Sequence, residues 1–334
     1  MNRCRAILAT ASMAAAVGIS AHAQSPAASA SAAPSWPTKP VRLVLGLPPG
    51  SGSDLLARAL AQRLTPQWGQ SVVVENRPGA NTIIATELVA HAAPDGHTLL
   101  FGIGYSFTLI PHLYAKVPYD PVRDFAPITL LAHFGTVLVV NASLPVNNVA
   151  ELIALARSQP GKITYGSIGS GSSPNLMWEM IDHKAGIKLL HVPYKGQSQL
   201  MTAVLTNEVN TTWAGVFTVR PHVRTGKVRA LAYSAEKRSS AMPDLPTIAE
   251  AGYPEATTEV WYGLFAPAGT PRALIDRIHR NVGALIADRE FQAKEIFSKG
   301  YEPGGLGPDD MAALIRRDFD AGAELVRISG ARAE

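Results

Sequence analysis

Short apolar runs alternate along the chain with segments in which apolar residues recur every three or four positions. The first run, residues 41–45, predicts a β-strand, and the next segment, residues 53–64, carries Leu56, Leu60 and Leu64 on one face of a predicted helix. This alternation continues along the chain and is typical of α/β layers with parallel strands. It predicts further strands at 71–75, 98–102, 136–140, 162–165, 188–192, 208–214, 228–233 and 261–266, and further helices at 82–92, 149–158, 172–184, 197–205, 271–287, 290–299 and 308–327.

The N-terminal residues have a different pattern. Two arginines precede a short apolar stretch at residues 6–19, and residues 21–23 read Ala-His-Ala, the small-x-small pattern that signal peptidases cleave. Residues 1–23 are therefore predicted to be a signal peptide. Residues 24–37 are predicted to be a flexible leader. We expect the mature protein to reside in the periplasm.

Composition excludes several classes of protein. The 334 residues allow two compact lobes, and 47% hydrophobic with 17% charged residues is too apolar for a disordered chain. The formal net charge of +4 comes without a basic cluster, so no nucleic-acid partner is expected. No apolar run after the first two dozen residues approaches the ~18 needed to span a membrane. The single cysteine, Cys4, lies in the predicted signal peptide, which argues against a thiolate enzyme and a cysteine-ligated metal site.

A Gly/Ser-rich bend between a strand and a helix occurs twice. Bend one is residues 48–53, Pro-Pro-Gly-Ser-Gly-Ser, and bend two is residues 166–173, Gly-Ser-Ile-Gly-Ser-Gly-Ser-Ser. A helix N-terminus carries partial positive charge and unpaired N–H groups, and glycine lets a ligand approach the backbone. Two such bends across a cleft predict a site for a carboxylate. Alternatively, both are ordinary tight turns in which Ser53 and Ser172 cap the helices.

Motifs of other chemistries are missing. The sequence contains no G-x-S-x-G, no G-x-G-x-x-G, no phosphate-binding G-x-x-x-x-G-K and no H-E-x-x-H, and its histidines are scattered. We therefore predict no catalytic residues, no cofactor and no metal site. Trp213 ends a polar strand, and its side chain belongs either to the core or to a ligand wall.

Several longer strings resemble the Bug family, the TctC-like periplasmic solute receptors of tripartite tricarboxylate transporters. The resemblance extends in order over nearly the whole mature chain. The strings that carry it are Trp36-Pro37 through Val44, Pro49-Gly50-Ser51-Gly52-Ser53-Asp54, Val74-Glu75-Asn76-Arg77-Pro78-Gly79-Ala80, Tyr165 through Ser172, His191-Val192-Pro193-Tyr194-Lys195-Gly196, Pro243 through Gly252, and Ala266-Pro267-Ala268-Gly269-Thr270-Pro271.

The resemblance implies a type II periplasmic-binding-protein fold, in which two α/β lobes are joined by a hinge with a ligand cleft between them. Lobe one would comprise residues 38–138 and 257–334, and lobe two residues 139–256. Proteins of this family hold one ligand carboxylate by backbone amides and ordered waters between the two bends. The implied partners are a small carboxylate and the membrane permease subunits of the transporter, and a monomer is expected.

The family pattern also indicates which residues contact the ligand. Tyr105 and Ser106 match a position that faces the far end of the ligand. The chain departs from the family pattern at Asn81, at Asn175 and at residues 207–210, which precede Trp213. We expect Asn81, Tyr105 and Trp213 to shape a pocket for a larger or aromatic acid. The complete predicted ligand-binding set is Gly50, Ser51, Gly52, Ser53, Asp54, Asn81, Tyr105, Ser106, Ser167, Gly169, Gly171, Ser172 and Trp213.

Three other functions are compatible with parts of the sequence. The same clamp would serve an extracytoplasmic sensor that reports a carboxylate to a signalling partner. A periplasmic hydrolase would use one of the loop serines. A porphyrin-pathway enzyme on a related scaffold would need a cofactor-bearing cysteine, which the mature chain lacks.

Overall fold

The computed structural model describes residues 36–169 and 172–329, which build two β-sheets covered by helices. The strands are β1 (Val41–Leu45), β2 (Val72–Asn76), β3 (Thr98–Ile103), β4 (Phe125–Phe134), β5 (Thr136–Asn141), β6 (Thr164–Ser167), β7 (Leu190–Pro193), β8 (Thr211–Gly215), β9 (Val228–Tyr233), β10 (Val260–Pro267) and β11 (Glu302–Pro303). The helices are α1 (Gly52–Trp68), α2 (Ile83–Ala90), α3 (Tyr105–Thr108), α4 (Ile110–Leu113), α5 (Val149–Ser158), α6 (Ser173–Ala185), α7 (Gln197–Leu205), α8 (Val216–Arg224), α9 (Arg272–Ala287), α10 (Arg289–Phe291) and α11 (Pro308–Ser329).

Both sheets are mixed, so the expectation of parallel strands is only partly right. The first sheet has the order β11-β4-β10-β3-β1-β2, with β1 parallel to β2 and β3 and with β10 antiparallel to β3 and β4. The second has the order β7-β6-β8-β5-β9, with β6 parallel to β7 and β8 and with β5 antiparallel to β8 and β9. Only Gly135 separates β4 from β5, so the chain passes directly from one sheet to the other. The chain returns to the first sheet through β10.

Each sheet is buried on both faces. Leu43 and Leu45 of β1 belong to the same buried cluster as Leu56 of α1, whereas Val44 belongs to a second cluster with Phe107. Successive side chains of a strand point to opposite faces, so a nearly continuous apolar run is what a strand covered on both sides requires. The apolar runs therefore identified strands at the centre of each lobe.

Residues 290–299 do not form the regular α-helix that the pattern predicts. The chain there forms α10, a π turn at Gln292–Ile296 and a 3₁₀ turn at Phe297–Lys299. Phe291 and Ile296 are both buried in the first core. Phe291 and Ile296 are five residues apart, and a π turn brings residues at this spacing onto one face, whereas a regular α-helix does not.

The last helix, α11, packs against β4 and α3 and also against α6 of the second lobe. The proposed lobe boundaries and the signal peptide remain predictions, and the signal peptide lies outside the described residues. Within the described part of the chain, no helix combines the length and the apolar character needed to cross a membrane.

Candidate functional site

Bend one, between β1 and α1, is shaped by its own serines. Ser51 is the N-cap of α1, and its Oγ accepts a hydrogen bond from the Asp54 N–H at 3.3 Å and lies 2.9 Å from the Oγ of Ser53. Gly50 has a φ of +78°, in the left-handed region that favours glycine. The cap is therefore Ser51 and not Ser53, and Ser53, the last residue of the bend, is buried.

Asp54 is a buried carboxylate that ties bend one to β2. Its Oδ2 accepts hydrogen bonds from the Gly50 N–H at 2.9 Å and from the Arg58 guanidinium at 3.0 Å, and its Oδ1 accepts one from the Asn76 side chain at 2.9 Å. Burial by itself raises the pKa of Asp54, but the hydrogen bonds that the carboxylate accepts outweigh it and lower the pKa below its ordinary value. Both oxygens are engaged by the protein, so Asp54 is placed to shape the bend.

Two buried tyrosines support bend one. The Tyr301 hydroxyl lies so close to Gly52 that a Cβ at position 52 would overlap it. The Tyr262 ring packs edge-on against that of Tyr301 with centroids 5.6 Å apart, and both rings belong to the core of the first lobe. Position 52 therefore accommodates only glycine as long as Tyr301 keeps its hydroxyl.

Ser106 and Asn81 are both engaged by neighbouring side chains. The Oγ of Ser106 lies 2.6 Å from the Oγ1 of Thr82, and these two residues and Ser53 line a cavity of about 10 Å³, the size of one water molecule. Asn81 has a φ of +51°, and its side-chain amide donates to the Tyr114 hydroxyl at 3.0 Å. Ser106 is thus part of the layer beneath bend one rather than of an open surface.

Bend two, between β6 and α6, has an N-cap of a different kind. Ser172 is the N-cap of α6, but its Oγ donates to the Gly169 carbonyl at 2.6 Å, and its side chain makes no capping hydrogen bond to the helix. Gly169 has a φ of +122°. Gly171, also predicted to contact ligand, lies outside the described residues. The first turn of α6 thus lacks the side-chain cap that Ser51 provides for α1.

Ser167 of bend two forms a close pair with His191 of the neighbouring strand β7. The Ser167 Oγ lies 2.6 Å from His191 Nε2, a distance typical of a serine nucleophile and its base. Ser167 is, however, completely buried, and its Oγ also accepts a hydrogen bond from the Gly169 N–H at 3.1 Å. The His191 ring stacks on Tyr165 with ring centroids 4.9 Å apart. Because a substrate carbonyl cannot reach a buried hydroxyl, the pair positions bend two and is not a hydrolytic site.

The burial of His191 predicts a pH dependence of stability. Desolvation lowers the pKa of His191 below its ordinary value of 6.5, although Glu179 opposes the shift. The unfolded chain therefore takes up the proton first as the pH falls, so the free energy of unfolding should decrease from above pH 6.5 down to the folded pKa. We expect His191→Gln to remove this part of the decrease. Urea denaturation of both proteins at several values between pH 7.5 and 5 measures it, and identical pH profiles would refute the assignment.

The two lobes contact each other near the sheet edges where the bends lie. Tyr301 contacts bend one, and the adjacent Gly300 packs closely on Val216, the first residue of α8. Arg220 of α8 also donates to the Ser298 carbonyl at 3.2 Å. Helix α8 begins directly after the C-terminal end of β8. This end of the second sheet therefore lies next to the part of the first lobe that contains bend one.

Trp213 is completely buried in the core of the second lobe. Its ring lies near that of Trp178, with centroids 6.3 Å apart, and both belong to one apolar cluster. Of the two roles left open for Trp213, the structure places it in the core. It is not exposed to a ligand in this conformation.

A cavity of about 700 Å³ lies beside the segment that returns the chain to the first sheet, and we call it the hinge cavity. It is lined from both lobes, by Tyr105 after β3, by Ser173 and Met177 of α6, and by Trp261 of β10. Tyr105 is thus a lining residue of this cavity, and its contact with a ligand remains a prediction. Burial raises the pKa of its hydroxyl well above the ordinary value, so the group stays protonated.

Sequence reasoning did not identify three residues that support the bends. Tyr262 and Tyr301 lie far along the chain from bend one, and no local pattern connects them to it. His191 stands in the sequence within the string His-Val-Pro-Tyr-Lys-Gly, which does not indicate a contact with Ser167. Strand β6 pairs with β7 so that Tyr165 lies opposite His191. A prediction of this pairing would have indicated that His191 lies near Ser167.

Comparison with known proteins agrees with this architecture. Residues 56–325 match the family described as "Tripartite tricarboxylate transporter family receptor". A UPF0065 protein of Bordetella pertussis is 33% identical over 309 residues, which covers 91% of this chain and 94% of the relative.

Two solved structures are also similar. "R. palustris Rpa4515 with adipate" has 33% sequence identity and a TM-score of 0.83, and the match covers 89% of this chain and 99% of that one. "Structure of periplasmic binding protein BugD" has 32% identity and a TM-score of 0.79, covering 90% and 100% of the two chains. These findings confirm the resemblance to the Bug family and the expected two-lobed fold.

Proposed function

This chain belongs to the tripartite tricarboxylate transporter receptor family, and we propose that it captures a small carboxylate between bend one and bend two and delivers it to a membrane permease. Proteins of this family are periplasmic solute-binding proteins and not enzymes. The adipate in the similar R. palustris protein supports a carboxylate as the ligand. We also infer that this chain is exported by its predicted signal peptide.

The observation that carries the proposal is the contrast between the two helix N-termini. The first turn of α1 is capped by the Ser51 side chain, whereas the Ser172 side chain of α6 turns back to Gly169. An uncapped helix N-terminus favours an anion, because its N–H groups and the helix dipole both attract negative charge. The glycines of the bends allow an anion to approach the backbone. A carboxylate at bend two would supply the acceptors that the α6 side-chain cap does not.

Binding by a two-lobed clamp explains how occupancy is signalled. A ligand that contacts both lobes favours the closed arrangement by its differential affinity for it. The contact of Gly300 with Val216 and that of Ser298 with Arg220 join the lobes at this edge, so they are expected to change between open and closed forms. A permease that recognises the closed form would receive only loaded receptor.

A thermal-shift screen tests the ligand class. We expect at least one acid from a panel of mono-, di- and tricarboxylates, aliphatic and aromatic, to raise the melting temperature of the mature protein, because a ligand that binds only the folded state stabilises it. Neutral amides of the same acids are the control. The proposal is contradicted if no acid shifts the melting temperature more than its amide.

Ser172→Ala tests bend two directly. It removes the hydrogen bond to the Gly169 carbonyl, so we expect about tenfold weaker binding of the acid selected by the screen, with little change in the melting temperature. Ser158→Ala, on α5, removes a comparable exposed side-chain-to-backbone bond far from the bends. Calorimetric affinity that is unchanged in Ser172→Ala would argue against this role.

Delivery to a permease and reporting to a sensor predict different phenotypes. A transport receptor is required for uptake of the selected acid, so deletion of its gene should abolish accumulation of the radiolabelled acid. A sensor should instead alter gene expression while uptake continues. The monomeric state remains a prediction that light scattering would test.

A further inference from the structure

The hinge cavity begins where bend two ends. Ser173, the first residue of α6, lines it, and Leu176, Met177 and Met180 line it further along the same helix. These positions share one helix face and span about 10 Å along the axis. A ligand whose carboxylate is held at bend two would therefore have an apolar wall of that length along its remaining atoms.

The opposite wall is also largely apolar. Trp261 of β10 and Leu314 and Leu325 of α11 line it. The volume of about 700 Å³ lies within the range of small-molecule sites. The shape and lining suit an extended apolar body better than a compact, highly charged acid.

Carboxylates outnumber cationic side chains in the described lining of the hinge cavity. Its described lining contains four carboxylates, those of Glu236, Glu255, Glu259 and Asp318. Among the same lining residues, Arg317 lies 2.8 Å from Asp318, and His133, which is charged only when protonated, has its Nδ1 3.5 Å from Glu259. Outside the cavity lining, Lys184 lies 3.7 Å from Glu255. The pKa of Glu259 is lowered mainly by its hydrogen bond with His133 and further by the nearby charge of Lys237. Glu236 is exposed and has no ion pair within the described chain, so the cavity carries excess negative charge.

We propose that the hinge cavity receives the apolar body of a ligand with a single carboxylate and discriminates against a second carboxylate at the far end. The inference rests on the proposed function, because it takes the first carboxylate to be held at the bends. A second carboxylate would lose hydration and face a lining in which carboxylates outnumber cations. A neutral or ammonium group at that end would meet no such repulsion.

Three acids of equal chain length test this discrimination. Hexanoate, adipate and 6-aminohexanoate all have a six-carbon chain with a carboxylate at one end, and they differ at the far end. We expect hexanoate and 6-aminohexanoate to bind at least about tenfold more tightly than adipate in calorimetry at low ionic strength, where screening is weak. Adipate binding as tightly as hexanoate would overturn this inference and leave the receptor function standing. Failure of every acid, in this trio and in the screen, would overturn both.

A charge reversal at the rim of the cavity provides a gain-of-function test. Glu236→Lys removes no ion pair and introduces a cation, so adipate should bind several-fold more tightly while hexanoate binding stays the same. Asp320→Lys makes the same change of charge at an exposed position of α11 that does not line the cavity. Equal gains in the two variants, or none in Glu236→Lys, would show that the cavity does not select against the second carboxylate.

Discussion

Replacing Asp54 with alanine is expected to lower the free energy of unfolding by about 3 kcal/mol, because it removes a buried carboxylate that accepts hydrogen bonds from three residues. The Gly50 N–H loses its acceptor, the Asn76 side-chain amide keeps only the Leu47 carbonyl as acceptor, and bend one loses the connection to β2 that Asp54 makes. Affinity for the selected acid should fall by about tenfold or more as the bend loses its shape. Urea denaturation and calorimetry measure the two effects separately.

Asp54→Asn removes the negative charge of the side chain but keeps nearly the same size and shape. Asp54→Asn keeps one acceptor oxygen, so we expect a smaller loss of stability than in Asp54→Ala. Because the folded pKa of Asp54 lies below its ordinary value of 3.8, the ionised group contributes fully above that pH. The contribution is lost as the pH falls through the folded pKa, so the gap between wild type and Asp54→Ala should shrink in acid. Wild-type stability in Asp54→Ala at pH 7 would contradict this role.

Gly52→Ala is expected to cost about 2 kcal/mol of stability and to weaken ligand binding by about tenfold or more. The added methyl group would overlap the Tyr301 hydroxyl, and Tyr301 cannot swing away because its ring is packed in the core of the first lobe. Bend one must therefore move, and its backbone N–H groups move with it. Calorimetry with the selected acid detects the loss.

The double variant Gly52→Ala/Tyr301→Phe tests this cause. Removing the hydroxyl removes the closest atom, and the next atom of the ring would lie 3.3 Å from the new methyl group. We expect the double variant to recover much of the stability and affinity lost in Gly52→Ala, compared with Tyr301→Phe alone. If the losses of stability and affinity in the double variant equal the sum of those in the two single variants, overlap with Tyr301 is not the reason for glycine at position 52.

Local pattern was sufficient for most helices and strands. The predicted strand at 41–45 and helices at 149–158 and 197–205 coincide with β1, α5 and α7. Strand β4 and helix α8 were not predicted. Strand β4 contains Pro127, which is unusual within a strand, and its pairing with β10 is interrupted by two register shifts. Both features make the strand hard to recognise from its sequence.

The candidate site was only partly predictable. The two bends were visible because glycine and serine between a strand and a helix are recognisable in sequence. The buried position of Trp213 was not visible, because an aromatic residue at the end of a polar strand suits a core and a ligand wall equally. The role of Asp54 depends on Asn76, which reaches it from a neighbouring parallel strand.

The sequence by itself determined the alternation of strands and helices, the two Gly/Ser-rich bends and the family, because each of these depends on residues close together in the chain. Only the tertiary structure decided which side chains support the bends and what surrounds a ligand beyond them. Tyr301 reaches Gly52, His191 reaches Ser167, and α6 and α11 enclose the hinge cavity across long separations in sequence. Such contacts follow from how the sheets pair and pack, and no local pattern of residues encodes them.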